Sequence, residues 1–453
     1  MGAVIEAGVD VVRLNFAHDR PSTHRRAAET ARQQASKRGR TIGVLVDLPG
    51  PKMRTGPVVG GVVTVSQGRE LTLTPRRVEG GDERVSTTVE GLERMVSEGD
   101  SIFLADGEIV LEVTRKTGTD VHTAVVRGGE LSSGKGMHVP GADRDVEAFT
   151  QADREALEAG LRFDADLIGL SFVRDADDIE RARSALPERG RKPLVVAKIE
   201  TRSAVENLAE IVACADAVMV ARGDLGIQTD LRSVPLLQKD IIGECNRAGV
   251  PVITATQMLE SMTHSPLPTR AEVADVANAV IDGTDALMLS EETAIGDHPE
   301  EVVRLMSEVA ERAEVRRRTA NFPRPDEQPD ERVSWAVARA AVHAAEDVSV
   351  AAILCPTLTG ATPRRVAAFR PTMPVIGLSG VPETIGGMSL SWGVTPLPVT
   401  WTHAARDARE EVQRSARACR ESSLVEAGEL VAVVCGGPGR RAGRTDLVRI
   451  ARV

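Results

Sequence analysis

Seven short apolar runs recur along about the first two thirds of the chain, each stopped by charged or polar side chains and separated by amphipathic stretches of helical period. The runs cover 11–14, 42–47, 167–171, 194–198, 217–221, 252–255 and 286–289. They finish on Arg13 and Asn15, Asp47, Ser171, Lys198 and Glu200, Arg222 and Asp224, Thr256 and Gln257, and Ser290 and Glu292. Such an alternation is that of parallel strands joined by crossover helices. In a (β/α)8-type barrel the reactive groups gather where the strands finish, because the βα loops there stand on a rigid frame. The pattern therefore predicts an α/β fold with a polar mouth.

Seven strands are one short of a closed (β/α)8 barrel. The opening Gly2-Ala-Val-Ile-Glu-Ala-Gly8 reads as a helix end with its glycine stop, so a strand and most of a helix are expected upstream. A start codon placed further upstream is the preferred explanation. A lesion-bearing paralogue and a neighbouring subunit that covers the gap are the others. An unclosed barrel would expose two strand edges.

The rest of the chain divides around that frame. Residues 56–140 are rich in Gly, Thr and Val with alternating segments such as Glu70-Leu-Thr-Leu-Thr74, and predict a small inserted β domain. The barrel would then comprise 1–55 and 141–320. Prolines and charges at 321–330 mark a linker. From 331 to 453, strands near 350–354, 375–378, 430–435 and 447–453 alternate with helices, as in an open α/β domain.

At the mouth, Lys198-Ile-Glu200 places an ammonium and a carboxylate on one face of a strand. Arg222-Gly-Asp224-Leu-Gly226 follows on the next strand end, where glycines let backbone approach a ligand. Glu200 and Asp224 on adjacent strand ends suit a hard divalent ion such as Mg²⁺ or Mn²⁺; a salt-bridged rim is the other reading. Thr256 offers a hydroxyl that can bind a carboxylate, relay a proton or cap a helix. Arg13, Lys52 and Arg54 add positive charge, which an anionic substrate needs on a chain of net charge −10, though each can equally be a solvated rim charge. Lysine, arginine and metal converging on one point is the arrangement phosphoryl transfer requires.

Composition excludes several other classes. No block of like charge suits nucleic acid, no apolar run reaches a membrane span, and no leader pattern opens the chain, so a cytoplasmic enzyme is expected. Five cysteines, none at metal or redox spacing, read as reduced and mostly buried.

The strings Val11-Val-Arg-Leu-Asn-Phe-Ala-His18, Asp47-Leu-Pro-Gly-Pro-Lys-Met-Arg-Thr-Gly56, Ala197-Lys-Ile-Glu200, Met219-Val-Ala-Arg-Gly-Asp-Leu-Gly226, Ala255-Thr-Gln-Met-Leu-Glu-Ser-Met262 and Pro268-Thr-Arg-Ala-Glu272 occur in that order. Together they resemble the pyruvate kinases, over almost the whole chain. The resemblance implies phosphoryl transfer from phosphoenolpyruvate to ADP, giving pyruvate and ATP, by a homotetramer. Two alternatives are kept: a catalytically impaired, N-terminally truncated paralogue, and a Mg-dependent pyruvate lyase or aldolase of the same barrel class. The second has no use for the inserted domain.

Carried over by position, the resemblance implies that Glu200 and Asp224 bind the metal and that Lys198 stabilises the phosphoryl group in flight. Arg13 would hold the phosphate. Gly223, Asp224 and Thr256 would take the substrate carboxylate, with Ser171 also among the substrate-binding residues, and Thr256 would help protonate the enolate. Ser290 and Glu292 would lie on the proton path, and Arg54 and Lys135 would face the nucleotide. Asn15 and Asp47 match a monovalent-cation site, but Ala17 replaces its usual Ser, Leu48 its Thr, and Lys52 a Glu. The Lys52 ammonium is expected to supply the missing charge, so that K⁺ is not required. Asp19, Pro49 and Glu291 also depart from the family pattern. In the C-terminal domain, loops with Thr357, Thr359 and Thr362, and with Arg440, Arg441 and Arg444, match those that hold a phosphorylated effector. Hydroxyls and arginines there can cradle a sugar phosphate or serve ordinary turns and caps.

Overall fold

Seven parallel strands in sequence order form one sheet: Val11–Asn15, Gly43–Asp47, Leu167–Leu170, Leu194–Ile199, Ala217–Ala221, Val252–Ala255 and Ala286–Leu287. The computed structural model describes residues 1–51, 53–105, 107–140, 147–187, 192–316, 329–402, 405–436 and 444–453. All seven expected runs are strands, the last only two residues long. The sheet is curled. Leu45, Leu167, Val196, Met219 and Ile253, from strands two to six, share one buried cluster with Met288. The alternate residues Val46, Ile168, Val195, Val218 and Val220 face outward and pack with Ile179, Ile211 and Ile241 of the surrounding helices.

Among the described residues the first and seventh strands share no ladder. On that side Val4, Ala7 and Val9, around the opening helix Gly2–Glu6, pack against Val302, Val303 and Met306 of the helix Pro299–Glu314.

The end of the barrel opposite the mouth is stitched by a repeated contact. Asp166, just before the third strand, donates its N–H to the Val44 carbonyl and accepts the Val44 N–H on Oδ2 at 2.9 Å. Asp216 does the same with Val195, and Asp285 with Val252. Each carboxylate also holds an arginine: Arg32, Arg183 and Arg370 respectively. The first two arginines belong to barrel helices, whereas Arg370 comes from the C-terminal part of the chain.

Residues between the second and third strands build a separate layer, with a six-stranded sheet and a two-stranded one, mostly antiparallel, around the core of Leu71, Leu73, Ile102, Leu104 and Leu111. It touches the barrel where Gln228 meets His138 at 2.7 Å. The C-terminal sheet has five strands, parallel except for Leu447–Arg452. Its edge strand Val394–Pro398, which carries Pro396 and Pro398, was not among the expected ones. Proline is tolerated at an edge, where no neighbour needs the missing N–H. Leu390 from this part reaches the barrel's inner cluster, and Gly386 lies so close to Asp166 that a Cβ there would clash.

The expected linker lies outside the described residues except at 329–330, whose backbone already opens the helix Pro329–Asp347. No helix among the described residues is long and apolar enough to cross a membrane. Cys245, Cys355, Cys419 and Cys435 are buried thiols and Cys214 is partly buried. Burial pushes the Cys419 and Cys435 thiols up to about 12.

Candidate active site

Lys198 organises the mouth. Its strand alternates, so Ala197 and Ile199 face the outer core while Lys198 points inward. The ammonium donates to Ser171 Oγ at 2.8 Å and lies 2.8 Å from Glu200 Oε1 and 3.1 Å from Asp47 Oδ1. Burial by itself would depress its pKa; the carboxylates of Asp47 and Glu200 reverse that and hold it above the usual lysine value. Asp47 also accepts Arg13 Nε on Oδ2 at 2.7 Å. Burial would raise the Asp47 carboxyl, but Lys198 and Arg13 together hold it below its ordinary value. Arg13, Asp47, Lys198 and Glu200 thus form a chain of alternating charge running into the barrel.

Glu200 is 1% exposed and accepts the Phe172 N–H on Oε2 at 2.7 Å. Burial pushes its carboxyl up, Lys198 draws it down, and the nearby charge of Asp224 pushes it up again; the net shift is upward. The mutual repulsion of the Glu200 and Asp224 carboxylates is one that a divalent cation between them would relieve. Among the described residues no three His, Cys, Asp or Glu side chains converge on a metal position. The Glu200 and Asp224 pair would therefore leave most of an ion's coordination to oxygens from substrate and water, as fits an open catalytic site rather than a protein cage.

The next strand end carries Thr256. Its φ is +68° and that of Gln257 is +53°, left-handed values that a β-branched residue rarely adopts. Thr256 Oγ1 accepts the Gly223 N–H at 2.9 Å and donates to the Ala255 carbonyl at 2.7 Å. Glu292 is buried and accepts the N–H groups of Ser290, at 2.6 Å, and Leu259, at 3.3 Å. The loops carrying Thr256 and Ser290 are thereby tied together.

The remaining expected residues fall in several places. Ser171 is buried, its hydroxyl donating to the Leu48 carbonyl at 2.7 Å while accepting Lys198. Asn15 accepts the Ala17 N–H at 3.1 Å. Arg54 donates to the Gly134 carbonyl at 3.0 Å, and the Lys135 carbonyl accepts the Thr55 N–H at 2.9 Å, so both cations lie where barrel and insert join. Lys52, Arg440 and Arg441 lie outside the described residues. Thr357 Oγ1 accepts the Gly360 N–H at 2.9 Å, whereas Thr362 is buried against Thr445 at 2.8 Å. Thr359 donates its N–H to Thr357, and Arg444 lies just ahead of Thr445.

Two features were missed in the sequence. The Asp47–Lys198 pair joins strands two and four, and nothing local to either residue signals it. Arg222 was read for the backbone freedom of Gly223 beside it, yet its own side chain is 8% exposed and fully engaged beneath Thr256.

A curled parallel sheet, an inserted β layer and a mouth with lysine, arginine and paired carboxylates define a barrel enzyme of the phosphotransferase class. Comparison with known proteins agrees. The family described as "Pyruvate kinase, barrel domain" matches residues 1–303, and "Pyruvate kinase, alpha/beta domain" matches 335–451. A pyruvate kinase of Thermotoga maritima is 37% identical over 450 residues, covering 99% of this chain and 95% of that protein. One of Thermococcus litoralis is 41% identical over 399 residues, 87% of this chain and 84% of the relative. One of Mycobacterium tuberculosis is 37% identical over 455 residues, 100% and 94% respectively. The chain belongs to the pyruvate kinase family.

Proposed function

We propose that this chain transfers the phosphoryl group of phosphoenolpyruvate to ADP and releases pyruvate, with Lys198 at the centre of the reaction. The observation that carries this reading is the buried ammonium held by Asp47, Ser171 and Glu200 at the barrel mouth. Its position is set before substrate arrives, so little reorganisation is needed as charge builds on the transferring oxygens. Arg13, oriented by Asp47, is placed to hold the phosphate. Ser171, whose hydroxyl accepts Lys198, would be among the substrate-binding residues beside it.

Glu200 and Asp224 would hold the divalent ion, Mg²⁺ or Mn²⁺, which when bound neutralises phosphate and enolate oxygens. The P–O bond to the enol oxygen breaks as the ADP oxygen bonds to phosphorus, leaving the enolate of pyruvate, whose C3 then takes a proton. Thr256 Oγ1 is the proton donor in this reading, refilled from water beside Ser290 and Glu292. The carboxylate of the substrate would compete with Thr256 for the Gly223 N–H. Arg54 and Lys135 would meet the nucleotide phosphates from the hinge of the inserted layer.

Lys52 supplies the charge of a monovalent cation in this reading, and the chain works without K⁺, as a homotetramer in the cytoplasm. The loops of Thr357, Thr359, Thr362 and Arg444 would take a sugar phosphate. A coupled assay of pyruvate formation, in K⁺ and in tetramethylammonium, with and without Mg²⁺, tests the scheme. Metal-dependent turnover equal in both salts is expected. Strong stimulation by K⁺ would remove the Lys52 assignment, and no turnover by folded protein would remove the catalytic one.

A further inference from the structure

Arg222 touches neither the carboxylate pair nor the lysine chain, although it closes the strand that leads to Asp224. Its guanidinium turns toward the neighbouring strand end. Nε donates to the carbonyls of Ala255 at 3.3 Å and Thr256 at 3.1 Å, and Nη2 donates to those of Thr256 at 2.6 Å and Gln257 at 3.0 Å. Nη1 donates to Asp275 at 2.6 Å and to Gln238 Oε1 at 3.2 Å. Three successive carbonyls thus converge on one planar group, which Asp275 and Gln238 hold from behind.

The segment so gathered is the one with Thr256 and Gln257 in the left-handed region. Backbone strain of this kind persists only where the surroundings over-determine it. On its other side Thr256 meets the Gly223 N–H, one residue from Arg222 itself. The two adjacent residues Arg222 and Gly223 therefore grip the Thr256 turn from both sides, through its carbonyl and its hydroxyl.

We propose that Arg222 is a positioning residue for protonation of the enolate: it keeps Thr256 left-handed, so that Oγ1 stays at a fixed spacing from the Asp224 segment. This rests on the reading of Thr256 as proton donor. Lysine cannot replace it, because a single ammonium has no planar fork with which to span three carbonyls and a carboxylate. In the forward step C3 of the enolate gains the Thr256 proton and water refills the hydroxyl. Run backward in D₂O, the same step removes a proton from C3 of pyruvate and returns deuterium.

The experiment follows loss of the pyruvate methyl signal by proton NMR in D₂O, beside forward kcat, KM for phosphoenolpyruvate and Mn²⁺ affinity. Arg222→Lys should lower exchange and kcat together by about tenfold or more, with KM and Mn²⁺ affinity within about threefold. Adding Gln257→Gly should recover part of the loss, because glycine enters the left-handed region without a Cβ penalty. If Thr256→Ala abolishes exchange while Arg222→Lys leaves it intact, the positioning role fails alone. Unchanged exchange in Thr256→Ala would overturn the proton-donor reading and this inference with it. A fall in Mn²⁺ affinity in step with kcat would assign Arg222 to the metal-binding segment instead. Should Arg222→Lys not fold, Asp275→Asn gives the same comparison: a smaller fall confined to exchange and kcat supports the role, and no fall overturns it.

Discussion

The two ends of the barrel use the same chemistry, arginine or lysine against carboxylate, for different ends. At the floor each aspartate joins a strand N–H to an arginine. Asp216 takes a strand N–H and Arg183 on the same oxygen, and Asp285 takes a strand N–H and both nitrogens of Arg370. Each of these carboxylates has an arginine of its own, and they serve to fix strand ends. At the mouth the charges do not pair off one to one: Glu200 shares Lys198 with Asp47 and faces the charge of Asp224. One arginine to each carboxylate marks the structural end. Incomplete compensation marks the end where a cation and an anionic substrate can be bound with gain.

The sharpest way to break this contrast is to remove one cation from each end. Lys198→Met should lower kcat by at least about 10²–10³-fold, since a preorganised charge aimed at the transferring group is lost. The coupled assay reads it, and a loss below tenfold would contradict the central role of the lysine. Arg370→Met should instead act on stability. It strands the buried Asp285 carboxylate, a change worth about 3–5 kcal/mol, measured by urea unfolding, with kcat of the folded enzyme within about threefold. A variant as stable as the parent would show that the C-terminal part does not depend on this contact.

Asp47 bridges the two behaviours, having an arginine of its own like a floor residue but being placed at the mouth. Its folded pKa lies below the unfolded value, so its contribution is present above about pH 4 and is lost as pH falls through the folded pKa. Asp47→Asn should therefore be less stable than the parent at pH 7, by on the order of 1–3 kcal/mol. The gap should narrow in acid, in unfolding curves taken from pH 7 downward; a gap independent of pH would rule out the charged pair as its source. The smallest effect is expected at Arg183→Met, where both partners are partly solvated and the loss should stay within about 1 kcal/mol. A larger loss would mean that the floor pairs act as one network.

Much of the frame was legible because burial on both faces writes each barrel strand as a continuous apolar run. Val394–Pro398 was not, since an edge strand tolerates the prolines that elsewhere end one. The site residues were found largely as strand terminators. Their partners were found less well: an aspartate ahead of a strand, as at 166, 216 and 285, looks like any polar loop residue until its neighbour's N–H is in view. Arg222 was hidden by its own motif, whose glycine offered a sufficient account of the string. Its side chain is engaged by the carbonyls of a different strand end.

The sequence by itself determined the order of strands, the side of each strand that turns inward and the chemical types gathered at the mouth, because these follow from a period of two and from where apolar runs stop. Only the tertiary structure decided which charges meet. Asp47 and Lys198, on strands with another between them, come within 3.1 Å because the sheet curls and both side chains point into one water-poor interior. There a charge interacts far more strongly than in solvent, and pairing is set by closure rather than by neighbours along the chain.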